Sequence, residues 1–199
     1  MEYTSIASSL WTLHKDKGSK FWACAYHVCT QEDMKMYLDE AKETYPDATH
    51  WCYAAIYDYP KDEQMSQDNG EPNGTAGLPI LRRIQSSGLL NCLVIVVRYY
   101  GGTKLGTRGL IEAYGAAAEL AINESRTKTY VLTQDFILRT AIAQENNLHI
   151  MAKRLNAQVI SQDYTAKDVS LTIRIPQAQI NEMLPLQEEF YLVNVAELA

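Results

Sequence analysis

No run in the 199 residues approaches the roughly 20 consecutive apolar residues that a membrane helix needs, so no spanning helix is expected. The chain does not open on a basic segment followed by an apolar core, which removes the usual mark for secretion. Its four cysteines, Cys24, Cys29, Cys52 and Cys92, form no C-x-x-C pair and no Cys/His zinc spacing. A disulfide framework or zinc ribbon is therefore not expected, and free buried thiols in a reducing, cytoplasmic setting account for them. Neither the Walker spacing G-x-x-x-x-G-K-[ST] nor the dinucleotide spacing G-x-G-x-x-G is present, and no catalytic triad can be read. The expectation for metals and cofactors is none. No internal repeat or low-complexity tract occurs.

The most informative absence is local. Between Glu71 and Glu112 there is no Asp or Glu, yet Arg82, Arg83, Arg98, Lys104 and Arg108 all fall there. The formal net charge is −6. Such an imbalance points to one anion-attracting surface on an otherwise acidic molecule, which suits a specific anionic partner better than general polyanion binding.

That stretch holds two constrained loops. Leu89–Tyr99, LLNCLVIVVRY, has the composition of a strand buried on both faces. It runs into Gly101 and Gly102, and after GGTKLGTRG a helical period begins with Leu110, Ile111, Tyr114, Ala117, Ala118 and Ala121. Gly101, Gly102, Gly106 and Gly109 permit backbone N–H groups to converge on an anion, the helix start adds its own free N–H groups, and Lys104 and Arg108 supply charge. A second reading stands beside it: the glycines only let the helix pack on the sheet.

The earlier loop, DNGEPNGTAGLPIL, contains the turn dipeptides Asn69-Gly70 and Asn73-Gly74. Thr75 is the expected N-cap of a helix that has Pro79 in its first turn and ends at Gly88, with Leu78, Leu81 and Ile84 inward and Arg82 outward. Asp68 and Glu71 are expected to bond the turn and neutralise arginines.

Elsewhere, Ser9–Leu13 and Lys20–Cys29 read as a hairpin about Gly18, and Thr30 with Asp33 as a near capping box for a helix that Pro46 ends. His50–Tyr57 reads as a strand, and the polar segment after it as mobile. His50 and Cys52, two apart on one strand face, are taken as structural, as are His14, His27 and His149. A boundary is expected in the NESRTK segment, separating domain 1–125 from domain 126–199. The second reads as β-α-β-β-α-β: a strand over Thr129–Thr140, a helix over Glu145–Leu155, a hairpin of Gln158–Tyr164 and Val169–Ile175, a helix over Gln179–Leu186 and a strand over Phe190–Val195. That order predicts a split-βαβ, ferredoxin-like domain and an α+β protein overall.

The two loops, QDNGEPNGTAGLPIL and VVRYYGGTKLGTRGLIEAYGAA, together with GSKFWACAYHV and ATHWCYAAI, resemble the signature of the IMPACT/YigZ family, bacterial type, over the first two thirds of the chain. Asn69, Tyr100 and Glu112 depart from it: an acid, a Phe and a basic residue are usual there. The resemblance implies an N-terminal domain similar to domain two of ribosomal protein S five and a small domain similar to those of elongation factor G. Eukaryotic members regulate translation through an initiation-factor kinase pathway with an additional N-terminal partner-binding domain. This chain starts on the shared region, so that role is not expected to transfer.

Three functional readings follow. The first is a non-enzymatic, translation- or RNA-associated regulator that holds a phosphate-bearing partner, RNA or a ribosome-associated assembly, on Arg82, Arg98, Gly101, Gly102, Lys104, Gly106 and Arg108, with Asp68, Glu71 and Thr75 supporting the loop. The second is an enzyme acting on a small phosphorylated or carboxylated metabolite, with Lys104 stabilising charge and Asp68 or Glu71 as base. The third is a protein-docking face centred on Tyr99 and Tyr100 beside Arg98. Oligomeric state is open.

Overall fold

The computed structural model describes residues 2–198, which form a mixed α/β protein with antiparallel sheets. The chain divides into two compact units, Tyr3–Tyr130 and a second built on Val131–Ala199.

In the first unit, β2 (Thr12–Asp16), β3 (Ser19–His27), β4 (His50–Tyr57), β5 (Glu63–Gln67) and β6 (Cys92–Tyr99) make a five-stranded sheet in the order β2-β3-β6-β4-β5. β6 is central and antiparallel to both β3 and β4. Its apolar run is buried on both faces because helices cover both. Cys92, Val94 and Val96 pack beneath α2 (Gly77–Ser87) and α3 (Gly106–Glu124), against Ile80, Ile84, Tyr114 and Ala117. Leu93, Ile95 and Val97 pack on the other side with Met34 and Ala41 of α1 (Gln31–Thr44) and an aromatic group that includes Trp22, Tyr26 and Tyr37. Alternation along the strand thus assigns every even-numbered residue of β6, Arg98 included, to the α2/α3 side.

α1 starts where the sequence indicates. Thr30 Oγ1 accepts the Asp33 N–H at 3.1 Å and Asp33 Oδ2 accepts the Thr30 N–H at 2.9 Å, a reciprocal capping box. Two segments depart from expectation. The polar stretch after β4 is not a free loop: Glu63–Gln67 pairs with Tyr53–Tyr57 as the edge strand β5. The chain also opens with a strand, β1 (Glu2–Ser8), which pairs with β7 (Arg126–Val131) in a separate two-stranded ribbon. There Tyr130 Oη donates to the Ile6 carbonyl at 2.7 Å, and the Tyr130 ring stacks on His27 at 4.0 Å.

The second unit follows the order β8 (Thr133–Ala141), α4 (Glu145–Arg154), β9 (Gln158–Tyr164), β10 (Asp168–Pro176), α5 (Met183–Glu189) and β11 (Asn194–Glu197). Its sheet is antiparallel throughout, ordered β11-β8-β10-β9. Phe136, Leu138, Leu171 and Ile173 meet Leu148, Met151 and Leu155 in its core. The expected strand over Thr129–Thr140 is broken into β7 and β8, and the last helix and strand begin about four residues later than the apolar pattern indicates.

Candidate functional site

Four elements converge at one end of the five-stranded sheet. Cross-strand register places Phe21 of β3 and His50 of β4 directly opposite Arg98 of β6, so the three side chains form one row on the α2/α3 side. The Arg98 guanidinium lies 5.4 Å from the Phe21 ring centroid and 5.6 Å from that of Tyr100. Arg98 is therefore not a surface cation. Its side chain is 6% exposed and its Nη1 is 2.5 Å from Glu71 Oε1, a carboxylate only 4% exposed. The same Glu71 oxygen accepts the Tyr114 hydroxyl of α3 at 2.8 Å, and Cys52 Sγ lies 3.3 Å from that hydroxyl. Burial, with Cys52 and Glu71 beside it, pushes the Tyr114 hydroxyl far above its usual range, so it stays a donor. Burial likewise raises the Cys52 thiol to about 12, which fits a structural rather than a nucleophilic role.

Asp68 organises the first loop. Its Oδ2 accepts the Gly74 N–H at 2.8 Å, and Oδ1 accepts those of Ala76 and Gly77, each at 2.9 Å. Burial raises its pKa, but the three N–H donors outweigh that and hold the carboxyl below its ordinary value. Asp68 thus satisfies the start of α2, and Thr75 does not. The Thr75 hydroxyl instead donates to the Pro72 carbonyl at 2.6 Å, closing the turn. Leu78 was expected inward but lies at 45% exposure in the first turn of α2, and Ile80, Leu81 and Ile84 carry the buried face.

In the second loop the glycines divide their work. A Cβ on Gly101 would sit 1.9 Å from the carbonyl carbon of Gly18, so this residue is glycine because two backbones touch. Its N–H is already used, donating to Ser19 Oγ at 3.2 Å. The packing reading of the glycine turn therefore holds at Gly101. Gly102 and Gly106 are different: their φ angles are +85° and +72°, and nothing lies within 4 Å of a Cβ placed there. They turn the chain into α3, whose start has no side-chain cap among the described residues and no acidic residue in its first turn. Its first N–H groups and partial positive charge are free to meet an anion.

Both loops line one cavity of about 280 Å³. Glu71 and Pro72 come from the first, Lys104 to Thr107 from the second, Arg98 and Tyr100 from the end of β6, and Leu110 from α3. The buried Nε–H of Arg98 has no hydrogen-bond partner among the described residues. Of the five cations of the acid-free stretch, Arg98 and Lys104 line this cavity. Arg108 does not; it is 92% exposed and paired with Glu112 at 2.9 Å. Arg82 lines a separate depression between α2 and α3 with Arg83, which pairs with Glu119 at 3.5 Å. A larger depression of about 550 Å³ beside α1 mixes Lys35 and Lys42 with Glu32 and Asp39, so its charges offset one another.

No motif in the sequence marks Pro72, Leu105, Thr107 and Tyr114 as site residues. The inward position of Tyr114 on the helical period is the one local signal that could have indicated its contact with Glu71.

The fold and this site define a two-unit α/β protein with an uncapped helix start opening into a small cavity. The Impact N-terminal domain family matches residues 17–122, and the chain belongs to that family. It is 32% identical to IMPACT family member YigZ of Escherichia coli (strain K12), over 88% of this chain and 87% of the relative. It is also 32% identical to an IMPACT family member of Haemophilus influenzae, over 90% and 87%. A solved structure described as that of a hypothetical protein superposes with a TM-score of 0.76 at 27% identity, covering 100% of this chain and 98% of that one.

Proposed function

We propose that the protein is a non-enzymatic binding module that receives a phosphate of RNA or of a ribosome-associated assembly in the cavity at the start of α3. One observation carries the reading: an uncapped 19-residue helix opens into the cavity that Lys104 and Arg98 also line. Read this way, the first unit corresponds to a ribosomal protein S five domain two-like domain and the second to a ferredoxin-like, elongation factor G domain-like one, in a cytoplasmic protein. Fold likeness by itself does not fix function, so the weight rests on the cavity.

The second reading, an enzyme acting on a small phosphorylated or carboxylated metabolite, is favoured by the cavity's small volume and by its apolar walls of Pro72, Leu105 and Leu110. Against it, both candidate bases are engaged: Asp68 with three N–H donors, and Glu71 with Arg98 and Tyr114.

Calorimetric titration with pyrophosphate and with a single-stranded RNA oligomer tests the proposal. Thr107→Glu places a carboxylate at the start of α3, where it stabilises the helix by about 0.3–1 kcal/mol while competing for the N–H groups. Both Thr107→Glu and Lys104→Ala are expected to weaken both ligands, and RNA binding to weaken steeply with salt. Unchanged affinities in the two variants would remove the cavity from the account. Tight binding of one small metabolite with no RNA binding would select the enzyme reading.

A further inference from the structure

A second groove adjoins the cavity and shares Tyr100 with it. It measures about 310 Å³ and is lined by the rings of Trp22, Tyr45, Tyr99 and Tyr100, by Lys20, and by the Gly18 turn. Among the described residues no carboxylate lines it, on a chain whose net charge is −6. Lys20 pairs in register with Tyr99, and Trp22 with Val97, so these β3 side chains stand on the α1 side of the sheet, opposite the row that holds Arg98. Trp22 and Tyr45 stack at 5.8 Å, and Tyr45 meets Tyr99 edge-on at 6.4 Å. Tyr100 closes the end of the strand with 46% of its surface exposed.

We propose that this groove is a stacking site for the bases of single-stranded RNA, an inference that rests on the phosphate reading of the neighbouring cavity. The alternation supplies the argument. A cluster of aromatic rings ending in the half-exposed Tyr100 and flanked by one lysine lies on one side of the strand end, and a helix start with another lysine lies on the other. A nucleic acid strand repeats the same two chemistries, a π-face and a phosphate, and sequence-tolerant single-strand binders combine ring platforms with cationic grooves. A peptide would find no carboxylate in this groove to pair with its own cations, and aromatic rings alone would not call for Lys20.

The test uses the full chain and fluorescence anisotropy with a labelled RNA octamer and an abasic ribose-phosphate octamer. The wild type is expected to prefer RNA over the abasic strand by about tenfold, the range of a single base stacked on an aromatic ring. Tyr100→Leu should abolish that preference whatever it does to abasic affinity, since Tyr100 also lines the cavity, and Tyr100→Phe should keep it; circular dichroism and thermal melting check that both variants fold. Lys104→Ala should weaken the two strands equally. An abasic strand that binds as tightly as RNA, or a preference that survives Tyr100→Leu, overturns the stacking site. If Lys104→Ala still weakens binding in that case, the phosphate reading stands alone. If neither octamer binds, the stacking site falls, and pyrophosphate titration then decides the phosphate reading separately.

Discussion

Replacing Arg98 with Met separates a buried structural cation from a surface one. The substitution keeps an unbranched apolar side chain of comparable reach beside Phe21 but removes the arginine partner of Glu71, leaving a carboxylate at 4% exposure with the Tyr114 hydroxyl on Oε1 and His50 Nε2 3.9 Å away. Breaking a buried pair from one side costs about 3–5 kcal/mol, because the remaining charge is uncompensated. A solvent-exposed arginine would cost within about 0.5 kcal/mol. Glu71→Gln should be similarly harmful, since it leaves the guanidinium buried without its counter-charge. Combining the two removes both charges, so the double variant should be well above the sum of the singles in stability, with a coupling of about 2 kcal/mol or more. All three tryptophans, Trp11, Trp22 and Trp51, lie in the first unit, so urea unfolding followed by tryptophan fluorescence reports on that unit. A loss below about 1 kcal/mol for Arg98→Met, or single effects that simply add, would refute the reasoning.

Two further perturbations probe the loops. Asp68 has a folded-state pKa depressed below its unfolded value of roughly 3.9, so its stabilisation is complete above that value and drains away as the pH falls through the folded pKa. Asp68→Ala should therefore cost about 1–3 kcal/mol at neutral pH and flatten the acid limb of a stability–pH profile; an unchanged acid limb would contradict the assignment. Gly101→Ala should lose more than about 3 kcal/mol in urea unfolding, since its Cβ would meet the Gly18 carbonyl carbon, whereas Gly102→Ala, strained only by its positive φ, should lose about 1–2 kcal/mol. Equal losses at the two positions would mean that the backbone contact does not decide the first.

What the sequence made legible was what local pattern controls. The Thr30–Asp33 cap, the apolar run of β6 and the helical period of α3 each depend on residues a few positions apart, and each is present. The two loops flagged by their glycines and by the absence of acids do share a cavity. What escaped depends on partners far along the chain. Arg98 reads as a surface cation until the alternation of β6 is carried one step past Val96, which places it in the buried row with Phe21 and His50. β5 is polar because it is an edge strand that pairs on one side alone, with β4, so no hydrophobic period marks it. The N–H groups at the start of α2 are met by Asp68, eight and nine positions upstream of its Ala76 and Gly77 donors, beyond the range of any capping rule.

The ribbon of β1 and β7 has a consequence for how the molecule is made. During synthesis β1 emerges long before its mate, which is not available until Arg126 and its successors have left the ribosome. For that interval its unpaired edge is exposed, and a chain cut short after α3 would keep it exposed permanently. Maturation of the first unit is thereby tied to completion of its last strand, and nascent fragments ending earlier are the ones most open to association with one another.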